Sequence, residues 1–167
     1  MDDDTAKPFR LFMLRHAHAG WAQPGERDFD RNLDEAGRRE ADQVGARASA
    51  QFAMPQHILC SPANRCRQTL QAFRPAQSGK TEPHYAPILF SGQIDDYLSE
   101  MKRFSDGPDL LLIGHNPVME HLLIWLIGEK TSKKVIPDGY PTAGLAVLDV
   151  RPDFAAGAGS LVEMIRP

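Results

Sequence analysis

Apolar residues gather in short runs separated by polar stretches rich in glycine and proline. Arg10-Leu11-Phe12-Met13-Leu14 is the first run and stops at Arg15-His16. His57-Ile58-Leu59-Cys60 is the second, and Asp109-Leu110-Leu111-Leu112-Ile113-Gly114 is the strongest. Runs of this length without alternation predict strands buried on both faces. Tyr85–Phe90 predicts a weaker strand, and Gly144–Val150 and Leu161–Ile165 a closing hairpin. Between them the period changes. Ala41, Val44, Ala48 and Phe52 recur three and four apart, which predicts a helix capped by Asp34 and ended by Pro55. Ser61-Pro62 predicts a second helix reaching about Phe73, with Ser61 as its N-cap. Ile94–Phe104 predicts a third, and Asn116-Pro117 opens a fourth running from Val118 to Ile127. Residues 17–33, 74–83 and 129–142 predict loops. Strands alternating with helices predict an α/β three-layer sandwich. Its sheet is mostly parallel, with helices on both faces and an antiparallel edge strand.

Composition narrows this picture. The 167 residues suit a flexible acidic tail over 1–8 and a single domain over 9–167. No repeat or low-complexity segment divides them. At this length the core elements use most of the chain and leave no large insertion to act as a lid. Hydrophobic residues make up 42% and charged residues 25%, as in ordinary globular proteins. With 19 Lys and Arg against 22 Asp and Glu, the net charge is −3. A bulk nucleic-acid or anionic-membrane binder is usually basic, so neither partner is expected. The stretch from Leu110 to Ile127 is broken by His115, Asn116-Pro117, Glu120 and His121, and so is no membrane span. The acidic start is unlike a signal peptide. A cytoplasmic, monomeric protein is expected, with Cys60 and Cys66 as free buried thiols.

The chemistry lies where strands stop. Parallel sheets bind ligands beyond the carboxyl ends of their strands. Three such ends carry Arg15-His16, Ser61-Pro62-Ala63-Asn64-Arg65 and Gly114-His115-Asn116-Pro117. Two guanidiniums offer planar forks for phosphoryl oxygens, and helix N-termini add free N–H groups. The two imidazoles can serve as nucleophile, donor or acid–base group. Singly each feature is weak. Together they predict a site for a compact phosphoryl dianion.

These residues carry a resemblance. Leu14-Arg15-His16-Ala17 is similar to the Arg-His-Gly signature of the histidine phosphatase superfamily, the phosphoglycerate mutase-like proteins. Ser61-Pro62-Ala63-Asn64-Arg65-Cys66-Arg67-Gln68-Thr69 resembles its Ser-Pro-x-x-Arg-x-x-Gln-Thr block, and Ile113-Gly114-His115-Asn116-Pro117 its second-histidine block. Arg31-Asn32-Leu33 followed by Gly37 is similar to a stretch of the small SixA-type phosphohistidine phosphatases. The resemblance implies that His16 attacks phosphorus and is transiently phosphorylated. Arg15, Arg65 and His115 would hold the phosphoryl oxygens, with neither metal nor cofactor. Many members also carry a glutamate after the third strand that protonates an alkoxide leaving group. Residues Ile88–Ile94 hold no carboxylate here, and Asp95 and Asp96 are expected to open a helix. That absence favours phosphohistidine on a protein over alcohol phosphates. A small-molecule phosphomonoesterase and a non-catalytic phosphate-binding module are the alternatives.

Other polar residues have plainer readings. His18 forms a His-x-His pair with His16, but no acidic cluster supports a metal there and a substrate contact at the rim stays open; Arg31 is expected in a salt bridge or loop contact. His57, His84 and His121 are expected to be structural or solvated. Arg67 should point away from Arg65 and into solvent. Lys130, Lys133 and Lys134 are expected on a solvated loop.

Overall fold

The computed structural model describes residues 8–74 and 81–167. The acidic tail and the part of the 74–83 loop that holds Pro75 and Gly79 lie outside the described residues. Twelve elements follow in the order β1 Phe9–Arg15, α1 Glu35–Ser49, β2 Ile58–Cys60, α2 Asn64–Phe73, β3 His84–Tyr85, α3 Ile88–Ser91, α4 Ile94–Lys102, β4 Asp109–Gly114, α5 Val118–Ile127, α6 Glu129–Val135, β5 Leu145–Val150 and β6 Gly159–Ile165.

The apolar runs are buried on both faces because they form the centre of one sheet. Its order is β3-β2-β4-β1-β5-β6. The first four strands are parallel; β5 runs against β1, and the edge strand β6 pairs antiparallel with β5. Alternate residues feed two cores. Phe9, Leu11 and Met13 of β1 join Leu110 and Leu112 of β4 under α4 and α5. Phe12 and Leu14 join Leu111 and Ile113 under α1 and α2. This two-faced burial is why the strands read as continuous apolar runs.

Asp34 caps α1 as expected, its side chain accepting from the Gly37 amide at 2.8 Å. Four sequence expectations are corrected. First, Ser61 is not the N-cap of α2, which begins at Asn64 after Ala63. The Ser61 amide still donates to Ile113 O at 3.0 Å, so this residue prolongs the sheet ladder. Second, Tyr85–Phe90 is not one strand. The ladder ends as Ala86 N donates to Cys60 O, Pro87 takes helical angles, and α3 follows. Third, the 129–142 segment is not all loop. Glu129 and Lys133 pair at 2.7 Å one turn apart and support α6, a helix too short to show an apolar stripe. Fourth, the 17–33 loop contains one 3-10 turn, Asp28–Asp30. Lys130, Lys133 and Lys134 are exposed, on a helix rather than a loop.

Candidate active site

Strands β1 and β4 are adjacent and parallel, with Arg15 opposite Gly114. The next residue on each is a histidine. The chain thereby sets His16 beside His115, with ring centroids 5.3 Å apart. Helix α2 begins at the end of neighbouring β2, and Arg65 sits in its first turn.

Backbone bonds fix His16 on both sides. Its amide donates to Gly114 O at 3.1 Å, and its carbonyl accepts from Ala143 N at 3.2 Å. Its Nδ1 lies 2.8 Å from Ala17 O. A carbonyl can only accept, so Nδ1 carries the proton and Nε2 keeps a free lone pair. Burial pushes the His16 pKa down to about 4, aided by the charges of Arg65, Arg15 and Arg31 and opposed by the Ala17 bond. The ring is therefore neutral at pH 7.

His115 is held differently. Its amide donates to Tyr97 Oη at 3.2 Å, and that hydroxyl donates to Leu89 O at 2.7 Å. A Cβ at Gly114 would lie 2.7 Å from the Tyr97 ring, so glycine there lets Tyr97 reach the strand end. Side-chain Nε2 lies 2.7 Å from Ser61 Oγ and 3.5 Å from Cys66 Sγ. Nδ1 is buried with no protein partner. Burial, then the His16 ring and Arg65, push the His115 pKa down to about 3.

The two arginines are anchored by backbone carbonyls. Arg15 Nη1 donates to Tyr140 O at 2.5 Å. Its Nε is buried without a partner. Arg65 is buried, and donates to Asp28 O at 2.6 Å and Asp28 Oδ2 at 3.0 Å. Phe90 closes this side: Arg65 lies over its ring at 5.8 Å, and its ring meets His115 at 5.7 Å and Phe29 at 5.0 Å.

The 17–33 loop is pressed onto α1. A Cβ at Gly37 would stand 2.0 Å from His18 O, so only glycine permits the contact. His18 is exposed and pairs with Asp34 at 2.5 Å, beside the α1 cap. Arg31 donates to Gly20 O at 3.0 Å and to Asp28 at 2.8 Å. It has the loop contact expected of it, yet its charge also reaches His16.

All four residues singled out in the sequence, Arg15, His16, Arg65 and His115, thus meet at one end of the sheet. Arg67 is exposed and lies over the Tyr85 ring at 4.4 Å. His57 bonds Asp109 O at 3.1 Å, His84 lies 3.8 Å from Glu100, and His121 is exposed. Asp95 is exposed on the first turn of α4, and Asp96 closes a capping box on the Gln93 amide at 2.8 Å. Sequence reasoning missed Asp28, Ser61, Tyr97 and Phe90. Among the described residues, no three or more His, Cys, Asp or Glu side chains group as metal ligands would. Nor is any helix long and apolar enough to cross a membrane.

A model of the histidine phosphatase superfamily (branch 1) matches residues 11–89. The SixA protein of Agrobacterium tumefaciens is 41% identical, with a TM-score of 0.87 over 96% of this chain and 99% of that one. The chain belongs to the histidine phosphatase superfamily. Within it, the likeness is to the SixA type. An uncharacterised Mycobacterium tuberculosis protein is 34% identical over 164 residues, covering 87% of this chain and 97% of its own. A chloroplastic Arabidopsis thaliana protein, also uncharacterised, is 33% identical over 135 residues. The chain spans 62% of that plant protein's length. The superfamily match runs through the His16 and Arg65 blocks and stops before His115, which joins the site through the sheet.

Proposed function

We propose that this protein is a metal-independent phosphatase that hydrolyses phosphohistidine on a protein through a phospho-His16 intermediate. The observation that carries the reading is the state of His16. One ring nitrogen is bound to a carbonyl, the other is free, and the ring is neutral at pH 7. Such a ring is a ready nucleophile that needs no separate base.

The substrate is an imidazole bonded to phosphorus through one nitrogen and protonated on the other. His16 Nε2 attacks phosphorus with its lone pair. The substrate P–N bond breaks, its electron pair returns to nitrogen, and a neutral imidazole leaves. Phospho-His16 keeps its Nδ1 proton, and Ala17 O accepts from it. Water then attacks phosphorus, the P–Nε2 bond breaks, and the water protons depart on the phosphate. His16 is left as it began. Arg15, Arg65 and His115 oppose the negative charge on the phosphoryl oxygens in both steps. To bind them, the phosphoryl group competes with Asp28 for Arg65.

An alcohol phosphate would need a proton for its alkoxide. Near neutrality His115 has none to spare, since its pKa lies at about 3. Phosphoimidazole brings its own proton, and this supports the P–N substrate.

The test is incubation with a phosphohistidine protein and with p-nitrophenyl phosphate, both in EDTA. Faster turnover of the P–N substrate, with an acid-labile, alkali-stable label trapped on His16, is the expected result. Preference for the phenyl ester would instead identify a phosphomonoesterase. Dependence on added metal would overturn the mechanism.

A further inference from the structure

Beside His115 lies a cleft of about 190 Å³ that the phosphoryl-binding groups do not fill. Its lining includes Phe90, Gln93 and Tyr97 together with His115, Asn116 and Pro117. No carboxylate, lysine or arginine lines it. Pockets for drug-sized ligands run from about 300 to 1,000 Å³, so this space suits a single small ring. The aromatic wall is continuous with the site. The Phe90 ring lies under Arg65 at 5.8 Å and edge-on to His115 at 5.7 Å. Phe29 braces it edge-on at 5.0 Å. Phe90 is partly exposed despite these contacts. A braced aromatic ring between a guanidinium and an uncharged cleft is a surface for a flat, weakly polar or cationic group.

We infer that this cleft is the subsite for the leaving imidazole, with Phe90 as its stacking wall. The inference rests on the phosphohistidine reading and adds to it the residue that reads the ring. A protonated phosphoimidazole is both planar and cationic, and gains on an aromatic wall twice. An alkyl leaving group gains neither contact. Tyr97 sits at the base of the cleft with its hydroxyl already committed to Leu89 O and the His115 amide, so it shapes the cleft without reacting.

Two small P–N substrates separate ring recognition from phosphoryl chemistry: 1-phosphoimidazole, which has the ring, and phosphoramidate, which has none. The readout is the ratio of their kcat/KM values in EDTA. Wild type is expected to favour phosphoimidazole. In Phe90→Ala and in Phe90→Leu the ratio should fall about tenfold, the size of an aromatic contact, and Phe90→Tyr should restore it. Phe90→Leu fills the volume without a π face, which keeps the test independent of packing. Free imidazole should inhibit wild type competitively and Phe90→Leu more weakly. Equal losses on both substrates, or an unchanged ratio, would overturn the subsite while leaving the phosphohistidine reading intact. Failure of wild type to turn over either small P–N substrate would overturn the subsite, and failure on the phosphohistidine protein as well would overturn both.

Discussion

His16 and His115 end neighbouring strands in equivalent positions, yet the chain treats them differently. His16 is tied by the carbonyl of the next residue, an interaction almost wholly local, and this leaves Nε2 free. His115 has its Nε2 occupied by Ser61, a side chain from another strand end, and its amide held by Tyr97 from α4. Both rings are held neutral at pH 7 by burial. The contrast lies in which nitrogen is left over. Under the proposed mechanism the free Nε2 lone pair suits His16 to attack, whereas His115 has only its buried, unpartnered Nδ1 left over. Similar strand ends thus leave different ring nitrogens available, according to their hydrogen-bond partners.

Removing each histidine separately breaks the comparison most sharply. His16→Ala should lose roughly 10⁴-fold or more in kcat and form no phosphoenzyme, measured by label trapping and steady-state turnover. His115→Ala should lose about 10²–10³-fold, the cost of one oxyanion-type donor, while still accumulating label on His16 in long incubations. Label-free protein in the second case would make His115 part of the nucleophilic step. Ser61→Ala should cost up to about tenfold, since it removes the hydrogen bond that holds the His115 ring at Nε2. An effect as large as that of His115→Ala would mean that Ser61 itself contacts the phosphoryl group.

Acid sharpens the same contrast more gently. Neutral His16 is the attacking form, so phosphoenzyme formation should hold through neutral pH and fall as pH drops through about 4. Stability should respond earlier. Both histidines have folded pKa values below the 6.5 of an ordinary imidazole, at about 4 and about 3. Below 6.5 the unfolded chain takes up protons that the folded one refuses. Urea midpoints should therefore fall progressively as pH drops from 6.5 toward 3. His16→Ala and His115→Ala should each flatten that slope. The smallest effect belongs to Asp28→Asn. Its carboxylate is more than half exposed, so losing the pair with Arg65 should change stability by about 1 kcal/mol or less.

What could be read from the sequence follows the same division. Arg15-His16 and Gly114-His115-Asn116-Pro117 were legible because an apolar run followed by a charged or imidazole residue marks a strand end. Arg65 was legible from its place just beyond a strand. The partners were not. Ser61 looks like a helix cap, because Ser-Pro is a helix start by local chemistry, and only the sheet ladder to β4 shows otherwise. Phe90 sat in an apolar stretch that reads as strand until Pro87 turns the backbone. Asp28 and Tyr97 carry no local signal. Their roles come from contacts with residues far away in the chain, which periodicity does not encode. The short α3 and α6 escaped because neither spans enough turns to display an apolar stripe.

The register that sets Arg15 opposite Gly114 also bears on folding. The two imidazoles share one end of the sheet only while β1 and β4 remain paired, and β4 is laid down long after β1 in synthesis. Separation of those two strands abolishes the site. An anion held between the histidines therefore binds the folded chain and not the unfolded one. By mass action it adds RT ln(1 + [L]/Kd) to the unfolding free energy of the central sheet. On the proposed function the site would double as a clasp on the fold, and the melting temperature in rising phosphate would measure how firmly it closes.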